Sequence, residues 1–132
     1  MHIPDGFLSP GVALATGAVA AGAVALALAA ERREASPVPA GILGSVAAFL
    51  FAAQLVNVPV APGTSGHLVG ATLAAVLLGP WRALLALAAV LTVQCVLFQD
   101  GGVTALGANF LDMGVAGALV GYTVAALVAR RV

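Results

Sequence analysis

The sequence predicts an all-α protein, a polytopic bundle of transmembrane helices with about five spans. Hydrophobic residues occupy 62% of its 132 positions and charged residues only 8%. A soluble domain carries about 25% charged residues to wet its surface, so this composition indicates a protein whose solvent is lipid. The apolar residues also form long runs separated by Pro- and Gly-rich breaks, and helices satisfy their own backbone hydrogen bonds in lipid.

Five stretches reach or approach the length of a crossing, which needs about 20 apolar residues for a hydrocarbon core about 30 Å thick. The uncharged run from Ala35 to Trp81 is too long for one crossing. The stretch PVAPGTSG and the pair Gly79-Pro80 divide it. We therefore expect one transmembrane domain over residues 1–132, in which an N-terminal segment at 1–9 precedes spans near 11–30, 40–57, 67–79, 82–98 and 104–129.

The basic residues predict the orientation of these spans. Alternating crossings place every arginine on the same side of the membrane, and the positive-inside rule identifies that side as the cytoplasm. The N-terminus, the PVAPGTSGH loop and the QDGG turn are then extracytoplasmic, with the N-terminus folded into the bundle of a multi-pass protein of the cell (inner) membrane. The arginines that carry this argument are Arg32, Arg33, Arg82, Arg130 and Arg131.

Composition and motifs also exclude several functions. A net charge of zero gives no reason to expect a nucleic-acid partner, and the opening MHIPDGFLSPG lacks the basic segment of a secretory signal. The sequence has no G-x-x-x-x-G-K-[ST] motif and no nucleophile beside a plausible base, so we expect no enzyme activity. Energy for uphill transport has to come from a partner. The single cysteine, Cys95, allows no intrachain disulfide and is expected to pack in an apolar run.

Two histidines, His2 and His67, both fall on the extracytoplasmic side. If Met1 is retained, its amine, the amide nitrogen of His2 and the His2 Nδ1 can close a five-membered and a six-membered ring around an ion. His67 can supply a fourth nitrogen. Square-planar nitrogen ligation favours Ni(II) or Cu(II), whereas zinc prefers a tetrahedron. The residues alone leave a metal site and two incidental histidines equally favoured.

Other polar and small residues also have two interpretations. Asp112, an acid within the fifth span, either hydrogen-bonds a ligand histidine or is simply stabilised near a helix N-terminus. Gln54 and Gln94 are expected to make interhelical hydrogen bonds. Small residues that recur every four positions indicate close helix packing or a docking groove for another subunit; they are Ala13, Gly17, Ala21, Ala25, Ala29, Gly117 and Gly121.

The stretches MHIPDGFLSPGV, GTSGHLVGATLAAVLLGPW and QDGGVTALGANFLDMGVAG resemble the CbiM/NikM family, the substrate-capture subunits of energy-coupling-factor nickel/cobalt transporters. The similarity covers essentially the whole chain. In that family the ion is held by the terminal amine, by the backbone nitrogen and imidazole of the second residue, and by a loop histidine. The resemblance thus implies that Met1, His2 and His67 are the metal ligands.

The same resemblance implies the substrate and the partners. GTSGHL is more similar to the nickel branch than to the cobalt branch, so Ni²⁺ is the expected transported substrate and Co²⁺ the second choice. The implied partners are a transmembrane coupling protein, a pair of cytoplasmic ABC ATPases and a small accessory membrane subunit. The chain departs from the family by stopping at Arg130-Arg131-Val132, either as a short or split form or because C-terminal spans are missing, and by carrying Asp112 where relatives commonly have Asn or Ser.

Two other functions compete with metal capture for uptake. One is a passive helical pore or scaffold whose histidines are incidental. The other is a copper-binding membrane protein, because Cu(II) binds a given nitrogen set more tightly than Ni(II) does.

Overall fold

The computed structural model describes residues 2–35, 38–62 and 64–131 and has the expected all-α architecture. In this part of the chain, three helical stretches are long and apolar enough to cross a membrane: α1, α4 and the continuous run Leu106–Ala129. The helices are α1 (Pro10–Arg32), α2 (Ala40–Leu55), α3 (Ala71–Leu78), α4 (Pro80–Phe98), α5 (Leu106–Asn109) and α6 (Gly117–Ala129), and a π-helical segment, Phe110–Ala116, joins α5 to α6.

Helix α4 lies at the centre of the bundle. Helices α1, α2, α3 and α5 and the π-helical segment all pack against it, and its Leu84, Leu87 and Leu91 are buried. In contrast, α1 leaves apolar side chains such as Leu14 and Leu26 exposed. A helix that is apolar on its outer as well as its inner face is typical of a membrane span, because its outer face meets lipid.

Contacts at both ends of the bundle show that α1 and α4 are antiparallel. At one end, Arg82 Nε donates to Glu31 Oε2 at 2.7 Å. At the other end, Asp100, two residues past α4, contacts His2, which precedes α1. The run Leu106–Ala129 begins at this second end and finishes at the first. All the arginines therefore lie toward the Glu31 end, which agrees with the charge pattern of the sequence.

Helix α3 is much shorter than the span predicted at 67–79. It has eight residues, about 12 Å at 1.5 Å per residue, which is less than half of the hydrocarbon thickness. Gly70 and Gly79 bound it with φ angles of 73° and 85°, a conformation that a side chain disfavours. Residues 67–70 of the predicted span are not helical. The other predicted spans differ from the helices by at most two residues at either end.

The expected PVAPGTSG loop contains a β-hairpin instead. Strands β1 (Val58–Ala61) and β2 (Thr64–Gly66) are antiparallel, with Val58 opposite Gly66 and Pro59 opposite Ser65. The branched side chains of Val58 and Val60 favour extended backbone, a preference that the turn residues around them concealed. The hairpin ends at Gly66, so His67 is the first residue after it.

Small residues allow two close helix crossings. A Cβ on Gly107 would lie 2.6 Å from the Cα of Gly17, and a Cβ on Gly117 would lie 2.8 Å from the Cβ of Ala71. At the crossing with α1 the small residue that is required is Gly107, because a Cβ on Gly17 would have nothing within 4 Å. The interpretation as close packing is confirmed for Gly117 and Gly121, where a Cβ would overlap Ala71 and Thr72. It does not extend along the four-residue repeat of α1, because Ala20 and Ala27 are the buried alanines and Ala21, Ala25 and Ala29 are exposed.

We predict that Gly107→Ala destabilises the bundle by about 1–3 kcal/mol, because the new methyl group meets the α1 backbone, which cannot rotate away. Gly17→Ala is the matched control at the same crossing, since a Cβ there has open space within 4 Å. Thermal unfolding in detergent measures both. Equal melting temperatures for the two variants would contradict this backbone contact.

Candidate metal-capture site

The N-terminal segment has no regular secondary structure and is bound against the residues that follow α4. Asn109 is buried, with 4% of its surface exposed. Its Oδ1 accepts a hydrogen bond from Ile3 N at 2.8 Å, and its Nδ2 donates to Ile3 O at 3.1 Å. The backbone N–H of Gly102 also donates to Ile3 O, at 2.9 Å. One buried side-chain amide thus bonds both polar backbone groups of Ile3, so the backbone of this residue can be buried with its N–H and C=O paired.

Asp5 attaches the same segment to the turn that precedes α5. Its carboxylate accepts hydrogen bonds from Val103 N at 3.2 Å, Thr104 N at 2.8 Å and Thr104 Oγ1 at 2.5 Å. The side-chain and backbone hydrogen bonds from Thr104 lower the pKa of Asp5 below its usual 3.8. A lowered pKa contributes stability that is present above the usual value and is lost as the pH falls through the folded value. The attachment is therefore intact at neutral pH.

The glycine pair of the QDGG turn makes room for this docking. A Cβ on Gly102 would lie 2.6 Å from the carbonyl carbon of Pro4 and would also overlap the backbone nitrogen of Asp5. A Cβ on Gly101, where φ is 102°, would lie 2.9 Å from the His2 Cβ. The two glycines are thus required for close backbone approach. We use the name N-terminal receptacle for the residues that hold this segment, which are Asp100, Gly101, Gly102, Asp5 and Asn109.

The receptacle buries the side chain of His2, which is 1% exposed. His2 Nδ1 lies 2.8 Å from Asp100 Oδ1. A carboxylate oxygen accepts, so this nitrogen carries the proton in that hydrogen bond. The opposite nitrogen, Nε2, is buried with no hydrogen-bond partner in the described part of the chain. A buried polar atom without a partner is costly, which indicates a position that is completed by something other than these residues.

The second histidine meets the first from a distant part of the sequence. The ring centroids of His2 and His67 are 5.5 Å apart, with 36° between their planes. His67 Nδ1 lies 3.0 Å from Leu68 O. Because a carbonyl only accepts, this contact requires a proton on Nδ1 and leaves the lone pair on Nε2. That Nε2 is also buried without a partner among the described residues.

The structure thus brings His2 and His67 together, as predicted, while Met1 lies outside the described residues. Across residues 2–35, 38–62 and 64–131, no group of three or more His, Cys, Asp or Glu side chains is placed to hold a metal ion. A metal site at this histidine pair therefore needs donors beyond the His, Cys, Asp and Glu side chains of the described residues.

Asp112 is not the carboxylate that holds a histidine. Its side chain is exposed and makes no hydrogen bond within the described part of the chain. It lines a 520 Å³ cavity between the start of α3 and the π-helical segment. From the sequence, Asp112 was one candidate for the acid that hydrogen-bonds a histidine, and in the structure Asp100 makes this contact. Asp100 lies two residues past α4 and precedes two glycines, and that pattern is the signal that pointed to a tight turn at this position.

The comparisons with known proteins agree with this architecture. The family described as "CbiM: Cobalt uptake substrate-specific transmembrane region" matches residues 2–132. The chain is 41% identical over 130 residues to the fused nickel transport protein NikMN of Rhodobacter capsulatus, covering 98% of this chain and 38% of that protein. It is 40% identical over 125 residues to the cobalt transport protein CbiM of Sorangium cellulosum, covering 92% and 56%.

A crystal structure of a truncated transition metal transporter is similar over nearly the whole chain. The TM-score is 0.90 at 37% identity, and the match covers 98% of this chain and 61% of that one. The chain therefore spans between about four and six tenths of the length of these relatives. The match over residues 2–132, the level of identity and the shared fold together establish that this chain belongs to the CbiM family.

Proposed function

We propose that this chain is the membrane-embedded substrate-binding component of an ATP-driven nickel or cobalt uptake transporter, which captures the ion at the extracytoplasmic face. The observation that carries the proposal is the burial of residue 2 against His67, with an Nε2 on each ring that has no partner among the described residues. Relatives that are named as nickel and cobalt transport proteins support the choice of substrate. Proposed partners are a transmembrane coupling protein, cytoplasmic ABC ATPases and a small accessory membrane subunit.

In the proposed site, the ion is held by the amine of Met1, the deprotonated amide nitrogen of His2, the His2 Nδ1 and the His67 Nε2. Three of these nitrogens belong to one chelate, so binding one orients the next. Four nitrogens in a plane suit Ni(II), whose d electrons favour that geometry. Such an ion is also able to displace the proton of an amide nitrogen, which hard cations do not.

Chelation requires the His2 ring to turn, because its Nδ1 is hydrogen-bonded to Asp100. A half-turn about the Cβ–Cγ bond exchanges the positions of Nδ1 and Cδ2, and those of Nε2 and Cε1. Nε2 then lies at the ring edge beside Asp100, so the carboxylate can accept its N–H while Nδ1 binds the ion. A carboxylate that accepts the second N–H of a metal-bound histidine is the usual arrangement. Asp100 can therefore accept a hydrogen bond from the His2 ring in both orientations.

We predict that an N-terminal tag of about ten residues without histidine or cysteine abolishes high-affinity Ni²⁺ binding, because it removes the terminal amine from the site. The same tag at the C-terminus is the control and leaves binding intact. Isothermal titration and the visible d–d absorption of the bound ion measure the effect. A one-residue extension is a poor test, since a residue followed by Met-His supplies an amine, two amides and an imidazole of its own. If the N-terminal tag leaves the Ni²⁺ affinity unchanged, the proposed chelate is wrong, and a site built on the Nε2 atoms of His2 and His67 is favoured instead.

We predict that Asp100→Asn weakens Ni²⁺ binding about 10–100-fold, the usual effect of removing the partner of a ligand histidine. Asp112→Asn is the matched control, because it makes the same chemical change at an acid that contacts neither histidine. Both variants are titrated with Ni²⁺ after their melting temperatures have been compared. Equal affinities would show that Asp100 does not orient His2.

We predict that the purified chain in liposomes passes no Ni²⁺ to a metal-quenched dye trapped inside, because a capture subunit moves its ion only with its ATPase partners. Liposomes without protein set the background. Quenching that rises with the amount of protein would favour the passive pore.

Competition between Ni²⁺, Co²⁺ and Cu²⁺ for the detergent-solubilised chain, together with the metal found in protein purified from cells, tests the copper alternative.

A further inference from the structure

Residues 67–70 carry His67 into the bundle without regular secondary structure. Strand β2 ends at Gly66 and α3 begins at Ala71. The Gly70 carbonyl accepts from Ala74 N at 2.9 Å, but the Leu68 and Val69 carbonyls are bonded by side chains instead of by strand or helix backbone. Non-helical backbone at membrane depth is tolerated only where protein groups or a water-filled cavity satisfy it. The partners of this stretch therefore decide where His67 is held.

Two glutamines form a relay to this stretch from the core. Gln54 on α2 and Gln94 on α4 are both fully buried. Gln94 Nε2 donates to Gln54 Oε1 at 2.9 Å, the interhelical hydrogen bond that the sequence predicted, and Gln54 Nε2 donates to Val69 O at 2.7 Å. The relay thus joins the central helix, through α2, to the backbone two residues after His67. A buried hydrogen-bond chain of this kind is strong because water does not compete with it.

The neighbouring carbonyl along the chain belongs to Leu68, and it binds His67 Nδ1 at 3.0 Å. The Leu68 and Val69 carbonyls are on consecutive peptide units, so fixing one restricts the other. Gly70 closes the stretch with a φ of 73°, packed so tightly on Leu50 that a Cβ would overlap the leucine side chain. The peptide units between His67 and α3 are therefore held by Gln54 and by Leu50.

We propose that the Gln94–Gln54 relay is a positioning device for His67. By fixing the Val69 carbonyl, the relay holds the Leu68 carbonyl where it accepts the Nδ1 proton of His67, and this keeps the lone pair on Nε2, facing His2. As it concerns metal binding, this inference rests on the proposed function. The two glutamines contact no ion themselves and act only through the backbone of residues 67–70.

The test replaces Gln54 with methionine, which has a similar length and no hydrogen-bonding amide. In metal-free protein labelled with ¹⁵N-histidine, the two histidines give two sets of imidazole signals, and His2→Ala assigns them. We expect His67 to show the Nδ1–H tautomer in the unmodified chain and a mixture of tautomers in Gln54→Met. We also expect Ni²⁺ affinity in Gln54→Met to fall about 10–100-fold. The double variant Q54M/Q94M is expected to lose no more affinity than Q54M alone, because the two residues act in series.

Thr72→Val is the matched control. It removes another hydrogen bond from a side chain to an interhelical backbone carbonyl, Thr72 Oγ1 to Gly117 O at 2.9 Å, without touching residues 67–70. It is expected to lower the melting temperature and leave the His67 signals and the Ni²⁺ affinity unchanged. An unchanged His67 tautomer in Gln54→Met would overturn the inference, as would a T72V variant that loses tautomer and affinity equally. If the unmodified chain binds no Ni²⁺, the proposed function fails, and the tautomer comparison still decides the role of the relay.

Discussion

Backbone groups outside regular secondary structure in a membrane bundle need a hydrogen-bond partner, which is either a protein group or water in a cavity, and this requirement organises the structure. Each non-helical piece near the candidate site is held by one polar side chain. Asn109 holds the backbone of Ile3, Asp5 holds the amides of Val103 and Thr104, and Gln54 holds the carbonyl of Val69. Elsewhere in the described spans, helices satisfy their own backbone, and the polar side chains are few. The scarce polar residues are thus concentrated where the chain is irregular.

The same hydrogen bonds bring the two histidines together, so stability and chemistry depend on the same residues here. His2 and His67 are 65 positions apart, and each belongs to a segment with little regular structure of its own. Neither segment gains much by burying apolar area, since lipid solvates apolar side chains as well as the protein does. Specific polar contacts and close glycine packing are what remain to fix their positions. A loss of such a contact is therefore expected to alter the site before it unfolds the bundle.

The sequence predicted the helical class, four of the five spans to within two residues, and the meeting of the two histidines. Composition and run length determine the first two, because lipid imposes them on any chain. The third came from topology and from the family resemblance. The sequence did not predict the short α3, the hairpin at 58–66 or the π-helical segment, since these depend on what packs beside them. It offered Asp112 as one candidate for the acid beside a histidine and did not single out Asp100, because helix periodicity says nothing about how the turn after α4 folds over residue 2.

The engagement of the nearby acids bears on which ions the proposed site accepts. Hard cations such as Mg²⁺ and Ca²⁺ need several oxygen ligands. Asp5 is the acceptor for three donors of the turn before α5, and Asp100 faces an imidazole nitrogen. Asp112, the remaining acid toward this end, is not bonded to either histidine and lines the cavity between the start of α3 and the π-helical segment. Within the described residues, the histidine pair therefore presents nitrogen donors, while the surrounding carboxylates hold the protein in shape. We expect the proposed site to select nickel, cobalt or copper over the far more abundant hard cations by its ligand type, and the proposed planar set of nitrogens would then select among the transition metals.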